Sequence, residues 1–81
     1  MIRVKLWGSL QGFADGNEWV EVEATTFKEM VDQLALEYPA LKPQIERGVS
    51  MALNGKIYSS AWFTKLTEED EIVLLPFMVG G

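Results

Sequence analysis

The chain has 81 residues, a net charge of −5 and an apolar fraction of 48%, which fits a single small globular domain. It contains neither cysteine nor histidine, which excludes disulfides, thiolate nucleophiles and iron–sulfur clusters and removes the side chain that titrates near neutrality. Self-contained hydrolytic or redox catalysis is therefore not expected, and the acidic balance disfavours nucleic acid and anionic membranes as partners. No apolar run approaches the ~20 residues that cross a bilayer, and the N-terminus lacks the layout of a signal peptide, so a cytoplasmic location is predicted.

Alternating side chains predict two strands at the start of the chain. In residues 2–7 the even positions are apolar and share one face, while the odd positions carry two basic residues and Trp7. Residues 18–24 alternate again, and the glycine-bearing segment between the two runs, residues 8–17, is predicted to be a loop. The two runs are therefore expected to form an antiparallel hairpin with one face exposed to solvent.

The hydrophobic period changes to that of a helix after residue 26. Thr26 and Glu29 have the spacing of a capping box, and Pro39 ends the helix near Tyr38 because it lacks a backbone N–H. Leu36 lies off the apolar stripe and is expected to cover a neighbouring loop. The stripe consists of Phe27, Met30, Val31, Leu34 and Tyr38.

A second hairpin is predicted in the next third of the chain. Residues 40–50 are expected to form a connector that has room for one short turn of helix and leads into a brief strand at residues 51–53. The Asn54-Gly55 pair is a strong signal for a two-residue hairpin turn, and residues 56–58 supply the returning strand.

The last predicted strand follows a mixed segment. Residues 59–67 are expected to form a loop whose large apolar side chains, Trp62, Phe63 and Leu66, point inward. Residues 71–75 are apolar on both faces, as is typical of a central strand.

These elements predict an α+β fold in which one mixed sheet packs on one main helix, because a single helix covers only one face of a sheet. The first and last strands are the most apolar and are expected to lie side by side in the centre. The predicted core against the helix consists of Ile2, Val4, Leu6, Val20, Val22, Met30, Val31, Leu34, Ile72 and Leu74.

The C-terminal diglycine is suited to a chemical role. Gly80 and Gly81 have no side chains, so they can enter a narrow channel and present the terminal carboxylate to a reacting centre. A carboxylate must first be activated, usually as an acyl adenylate; attack by sulfur then yields a thiocarboxylate, and attack by an amine yields an amide. A frayed end without function is the alternative, and composition alone leaves both interpretations open.

Several motifs along the chain match one family of small proteins. They are Ile2-Arg3-Val4-Lys5-Leu6-Trp7, the Thr26-capped helix ending in Tyr38-Pro39, Leu53-Asn54-Gly55, Leu66-Thr67, Asp70-Glu71-Ile72-Val73, Leu75-Pro76 and Gly80-Gly81. With these motifs the whole chain resembles the MoaD/ThiS group of ubiquitin-like sulfur carriers, which have the β-grasp fold. The tail and the strand before it are the most specific part of the resemblance.

The resemblance implies a carrier protein and not an enzyme. The site residues that it implies are Gly80 and Gly81. An E1-like enzyme would use ATP to adenylate the carboxylate of Gly81, and a sulfurtransferase would then supply sulfur. The thiocarboxylate would serve a sulfur-accepting synthase subunit in the molybdopterin branch or a thiazole synthase in the ThiS branch. The chain is most similar to the small subunit of molybdopterin synthase, and no bound cofactor is implied.

Two positions depart from the family pattern. Glu69 stands where the family commonly has a glycine before the equivalent of Asp70, so the turn needs another geometry. Phe77 stands where the molybdopterin branch usually has a second proline, which leaves the carrier chemistry intact and the receiving enzyme open. The predicted organisation is a β-grasp domain over residues 1–77 and a flexible tail over residues 78–81.

A partner surface is predicted on the sheet face away from the helix. If Ile72 and Leu74 face the helix, alternation turns Val73 and Leu75 outward, and Trp7 joins them from the first strand. An apolar patch is thus expected beside the tail. The residues expected to bind partners are Trp7, Leu75, Pro76, Phe77, Met78 and Val79. A charged rim is expected from Glu18, Glu21, Glu23, Glu68 and Glu69.

Two other functions compete with that of a sulfur carrier. The first is a protein modifier that forms an amide between Gly81 and a lysine of another protein. The second is a ubiquitin-like interaction module whose diglycine is never activated. The three hypotheses differ in what becomes of the terminal carboxylate.

Overall fold

A computed structural model describes residues 1–59 and 61–76. The strands are β1 (Ile2–Leu6), β2 (Trp19–Val22), β3 (Val49–Leu53), β4 (Lys56–Tyr58) and β5 (Ile72–Pro76). The helices are α1 (Gly8–Gln11), α2 (Phe27–Glu37) and α3 (Leu41–Arg47). Within these ranges, no helix combines the length and the apolar character needed to span a membrane.

The five strands form one mixed sheet in the order β2-β1-β5-β3-β4. β1 pairs antiparallel with β2 and parallel with β5, while β3 pairs antiparallel with both β5 and β4. The first and last strands are therefore neighbours at the centre of a mixed sheet, and both predictions are confirmed. The parallel register places Lys5 beside Val73 and Leu6 beside Leu74.

The core lies between α2 and the inner face of the sheet. Leu74 and Leu34 are fully buried there, and Tyr38 and Trp62 pack against the cluster at its edge. The predicted core residues are all buried, namely Ile2, Val4, Leu6, Val20, Val22, Met30, Val31, Leu34, Ile72 and Leu74. Two independent periodicities, of the strands and of the helix, thus converge on one buried face.

Hydrogen bonds at its first turn fix where α2 begins. The Thr26 hydroxyl accepts from the Glu29 backbone N–H at 3.2 Å, as predicted for the cap. The Glu29 carboxylate, however, accepts from the N–H and hydroxyl of Thr25, both at 2.8 Å, and not from the N–H of Thr26. These bonds from Thr25 lower the pKa of Glu29.

The loop before β5 completes the helix cap. Its carbonyl oxygens at Thr64 and Trp62 accept from the N–H groups of Phe27 and Lys28, at 3.0 and 2.8 Å. The Trp62 ring also packs on the Phe27 ring with a centroid distance of 4.9 Å. This loop is therefore anchored on the helix through both its backbone and its aromatic side chain.

The predicted orientations of two large side chains are wrong. Phe63 is 85% exposed and Leu36 is 75% exposed. The loop carbonyls that cap α2 direct Trp62 inward, and the adjacent Phe63 then points to solvent. Leu36 lies on the side of α2 away from the sheet, off the stripe that the core buries.

The segment after β1 is also more regular than predicted. Residues Gly8–Gln11 form one helical turn, α1, which buries Leu10. The turn that follows uses Asp15 and Gly16 with positive φ angles of 56° and 80°. The glycines of this segment predict a loop, but the burial of Leu10 in the core stabilises one turn of helix there.

Asn54 links the β3–β4 turn to the segment that enters β5. It has a φ of +52° and Gly55 has a φ of +88°, as the predicted two-residue turn requires. Its amide nitrogen donates to Asp70 at 3.0 Å, and its amide oxygen accepts from the Glu71 N–H at 2.8 Å. The bonds that Asp70 receives, from Asn54 and from the N–H of Thr67, lower its pKa.

The same bonds explain how Glu69 replaces a glycine. The Asp70 N–H donates to the Thr67 carbonyl at 3.1 Å, so side chain and backbone of Asp70 both close this turn. Among the described non-glycine residues, positive φ occurs only at Asp15 and Asn54. The turn therefore needs no left-handed residue at position 69.

We expect Asn54→Gly to lower the free energy of unfolding by about 1–2 kcal/mol, because glycine tolerates the positive φ but removes both side-chain hydrogen bonds. Urea denaturation measures the loss. Asn17→Gly is the control, since Asn17 is an exposed loop residue without a side-chain hydrogen bond in the described part of the chain. An equal loss in the two variants would contradict a specific role of Asn54.

The N-terminal amine forms a hydrogen bond and an ion pair with the loop before β5. It donates to the Glu68 carboxylate at 2.8 Å. This bond raises the pKa of the amine above 8.0 and lowers the pKa of Glu68 below 4.5. The stabilisation that Glu68 contributes is therefore present above pH 4.5 and is lost as the pH falls through its lowered pKa. The stabilisation that the amine contributes is present below pH 8.0 and is lost as the pH rises through its raised pKa.

We expect the melting temperature of Glu68→Gln to fall below that of the wild type mainly between pH 4.5 and 8.0, the window in which both groups are charged. The effect is small and salt-sensitive because both groups are exposed. Glu69→Gln is the control, because no ion pair involves Glu69 among the described residues. A difference that does not vary with pH would argue against the ion pair.

Candidate functional site

The outer face of the sheet, away from α2, is open to solvent. Because Ile72 and Leu74 point into the core, Val73 and Leu75 point outward and are only partly buried. The β3–β5 register places Ala52 beside Val73 on this face.

Six residues line an apolar groove of ≈ 400 Å³ on the outer face, which we call the apolar patch. Trp7 and Ile57 are its most exposed members, at 54% and 57%. The backbone N–H of Trp7 donates to the Leu74 carbonyl at 3.0 Å. This bond extends the β1–β5 pairing and holds the backbone of Trp7 beside β5. The patch consists of Trp7, Ala52, Ile57, Val73, Leu75 and Pro76.

The structure thus brings together the described members of the predicted partner surface, namely Trp7, Leu75 and Pro76. Ala52 and Ile57, which come from β3 and β4, also line the patch but were not predicted to belong to it. The alternation of β4 indicates that Ile57 faces away from Lys56 and Tyr58, but only the strand order places it near β5.

The other half of the outer face is charged and aromatic. The Arg3 guanidinium lies 4.6 Å from the centroid of the Trp19 ring, and the Lys5 amine lies 5.9 Å from it. Glu18 approaches the Lys5 amine at 4.0 Å. The outer face is therefore divided into the apolar patch over β5, β3 and β4 and a charged half over β1 and β2.

The predicted acidic rim lies mostly away from the apolar patch. Glu18 shares a groove of ≈ 480 Å³ with Trp7 and Val73, and so borders the patch. Glu21 is paired with Arg3 in the β1–β2 register. The other acids, Glu23, Glu68 and Glu69, line two smaller grooves near the start of β1. Of the five predicted acids, Glu18 alone shares a groove with members of the patch.

The C-terminal residues follow directly on the apolar patch in the chain. β5 ends at Pro76, which is itself a member of the patch. The predicted site residues Phe77, Met78, Val79, Gly80 and Gly81 lie outside the described residues, so the predicted flexibility of residues 78–81 and the boundary after residue 77 stay predictions. Among the residues that are described, no group of three or more carboxylates is placed to hold a metal ion.

Solved structures share this fold. A chain of the Amycolatopsis orientalis BexX/CysO complex superposes with a TM-score of 0.78 at 19% identity over 100% of both chains. SAMP1 from Haloferax volcanii has a TM-score of 0.72 at 24% identity, covering 99% of this chain and 98% of that one. A chain of the complex of subunits 1 and 2 of the molybdopterin-converting factor from Helicobacter pylori 26695 has a TM-score of 0.66 at 26% identity, covering 99% and 97%.

The sequence of the chain shows which family it belongs to. Curated proteins provide no match to the chain. The model of the ThiS family, in contrast, matches residues 4–81, which is nearly the whole chain and includes the diglycine. The mixed sheet and the solved structures that share it confirm the predicted β-grasp fold. The chain belongs to the ThiS family of ubiquitin-like sulfur carriers.

Proposed function

We propose that the chain is a sulfur carrier that is activated at the carboxylate of Gly81. The observation that carries this proposal is the family match, which extends to residue 81 and so includes the terminal diglycine. The geometry of β5 supports it, because the strand ends at Pro76 in the apolar patch, the surface best suited to dock a partner. A partner docked on the patch would therefore be close to the residues that come after Pro76 in the chain, up to Gly81.

The proposed chemistry has three steps. The Gly81 carboxylate attacks the α-phosphate of ATP on an E1-like enzyme, which releases pyrophosphate and leaves an acyl adenylate. The terminal sulfur of a persulfide on a sulfurtransferase then attacks the acyl carbon, and AMP leaves. A thiol of a partner reduces the resulting acyl disulfide, which frees the thiocarboxylate and leaves a disulfide on the partner. The carrier supplies no catalytic side chain, in keeping with its lack of cysteine and histidine. The ATP is bound by the activating enzyme, and we place the reaction in the cytoplasm.

The proposed receiver of the sulfur is the large subunit of a molybdopterin-type synthase. The similarity to a chain of the Helicobacter pylori molybdopterin-converting factor complex supports this choice. That neighbour has the highest identity of the three compared, at 26%, and its structure contains both of its subunits. Transfer would take place after the tail has entered the active site of the receiver.

A protein modifier is the second candidate function. The similarity to SAMP1 favours this function, because SAMP1 stands for small archaeal modifier protein 1. In this function an amine of a target lysine, rather than sulfur, attacks the same Gly81 adenylate and forms an amide. Both candidates share the activation step and differ in the nucleophile that follows.

The mass of the intact protein distinguishes the candidates. The protein is incubated with its E1-like enzyme, ATP and a sulfur source, with and without a sulfurtransferase, and then weighed. Replacement of one oxygen by sulfur is expected for the carrier, whereas a covalent conjugate would indicate the modifier. An unchanged mass in every mixture would leave an interaction module that is not activated.

A further inference from the structure

A pair of serine hydroxyls lies beside the apolar patch, at the end from which the tail leaves. Ser50 in β3 is opposite Leu75 of β5, and Ser59 follows β4 directly, one residue beyond the Met51–Tyr58 pair. The two hydroxyl oxygens are 3.0 Å apart. They therefore extend the outer face from Leu75 across β3 to the end of β4.

Ser50 is unusual because it is polar and buried. It is 7% exposed and is the only buried polar residue among residues 1–59 and 61–76, whereas Ser59 is exposed. Within the same residues, Ser59 is the only hydrogen-bond partner of the Ser50 side chain. Each hydroxyl has one proton to donate, and only one of the two protons can lie between the oxygens.

Burial decides which serine donates. If Ser59 donated, the proton of the buried Ser50 would have no acceptor among residues 1–59 and 61–76, which costs free energy. If Ser50 donates, its proton is satisfied, and the proton of the exposed Ser59 is free to point outward. The second arrangement is therefore favoured, and it presents one oriented O–H group on the outer face.

A partner that covers the apolar patch must also meet this group. Ser59 lies two residues after Ile57 and so points to the same face, and Ser50 adjoins Leu75, another member of the patch. Contact with both members removes water from the Ser59 hydroxyl, whose proton then needs an acceptor from the partner. Since the carrier has a net charge of −5, a neutral peptide carbonyl is a more suitable acceptor than a carboxylate.

We propose that Ser59 donates a hydrogen bond to a backbone carbonyl oxygen of the docked E1-like enzyme, and that Ser50 is the positioning residue that orients it. This inference rests on the proposed function, because it takes the activating enzyme as the partner. The hydrogen bond supplies direction that an apolar contact lacks, and it holds the carrier in one orientation at the end of the patch where the tail begins.

The test is pyrophosphate exchange by the E1-like enzyme with ATP, with the carrier as the varied substrate. Ser59→Ala is expected to raise KM for the carrier about three- to tenfold with kcat unchanged, since the bond acts in docking and not in the chemical step. Ser59→Thr keeps the hydroxyl and should restore a KM near that of the wild type. Ser50→Ala should raise KM less, and Ser50→Ala/Ser59→Ala should be no worse than Ser59→Ala alone.

Two controls separate the possible failures. Lys42→Ala changes an exposed residue of α3, in the helical layer opposite the outer face, and should leave KM unchanged, while thermal melting verifies that every variant is folded. A KM for Ser59→Ala within twofold of the wild type, with Trp7→Ala still impaired, would overturn this inference alone. Failure of the wild type to support exchange would overturn the proposed function and this inference with it.

Discussion

Removal of Gly81 is expected to reduce adenylation of the protein at least about 100-fold and to leave its fold unchanged. The reacting carbon belongs to residue 81, and shortening the chain by one residue withdraws the terminal carboxylate by about 3.5 Å. Misplacement of a reacting group by only 1 Å can cost about 100-fold in rate. Replacement of Gly80 by phenylalanine should have a similar effect, because a narrow channel would not admit its side chain.

Pyrophosphate exchange measures the activation, and thermal melting measures the fold. Gly12→Ala is a matched glycine control, because a Cβ added there meets no atom within 4 Å and the residue has an ordinary helical φ of −62°. It should be adenylated at the wild-type rate. A chain without Gly81 that is also adenylated at that rate would end the hypothesis of a sulfur carrier.

Trp7→Ala is expected to weaken binding of the E1-like enzyme by about 2 kcal/mol or more, which corresponds to about 30-fold in Kd. Trp7 lines the apolar patch, is 54% exposed and is held beside β5 by its hydrogen bond to Leu74. A large exposed aromatic ring in a docking surface usually contributes more to affinity than smaller neighbouring side chains do. Phe77→Ala should weaken binding to a similar extent.

Calorimetric titration with the activating enzyme measures this loss. Trp19→Ala is the matched control, since Trp19 is 43% exposed on the same face of the sheet but lies in its charged half, against Arg3. Its affinity should stay close to that of the wild type. Unchanged affinity in both Trp7→Ala and Phe77→Ala, with stability retained, would show that the enzyme docks elsewhere.

The sequence by itself determined the five strands, the main helix and the core residues between them, whereas α1 and α3 lie in segments that were predicted as a loop and a connector. Alternation in residues 2–7 and the helical spacing from Phe27 to Tyr38 each assign a side chain to a face from its nearest neighbours along the chain. The Asn54-Gly55 turn is equally local, since it depends on the φ angles of two residues. The diglycine and the family motifs could also be read directly, because their chemistry depends on residue type and position in the chain.

Only the tertiary structure decided which distant residues share a surface. Ala52 and Ile57 join Val73 because β3 and β4 follow β5 in the sheet order, and short-range patterns contain no information on that order. Likewise, Leu10 is buried in a helical turn that its glycine-rich neighbourhood did not predict. Phe63 is exposed because the backbone of its loop caps α2. Packing between segments far apart in sequence overrides local preference, so the buried faces follow from periodicity whereas the exposed functional face follows from topology.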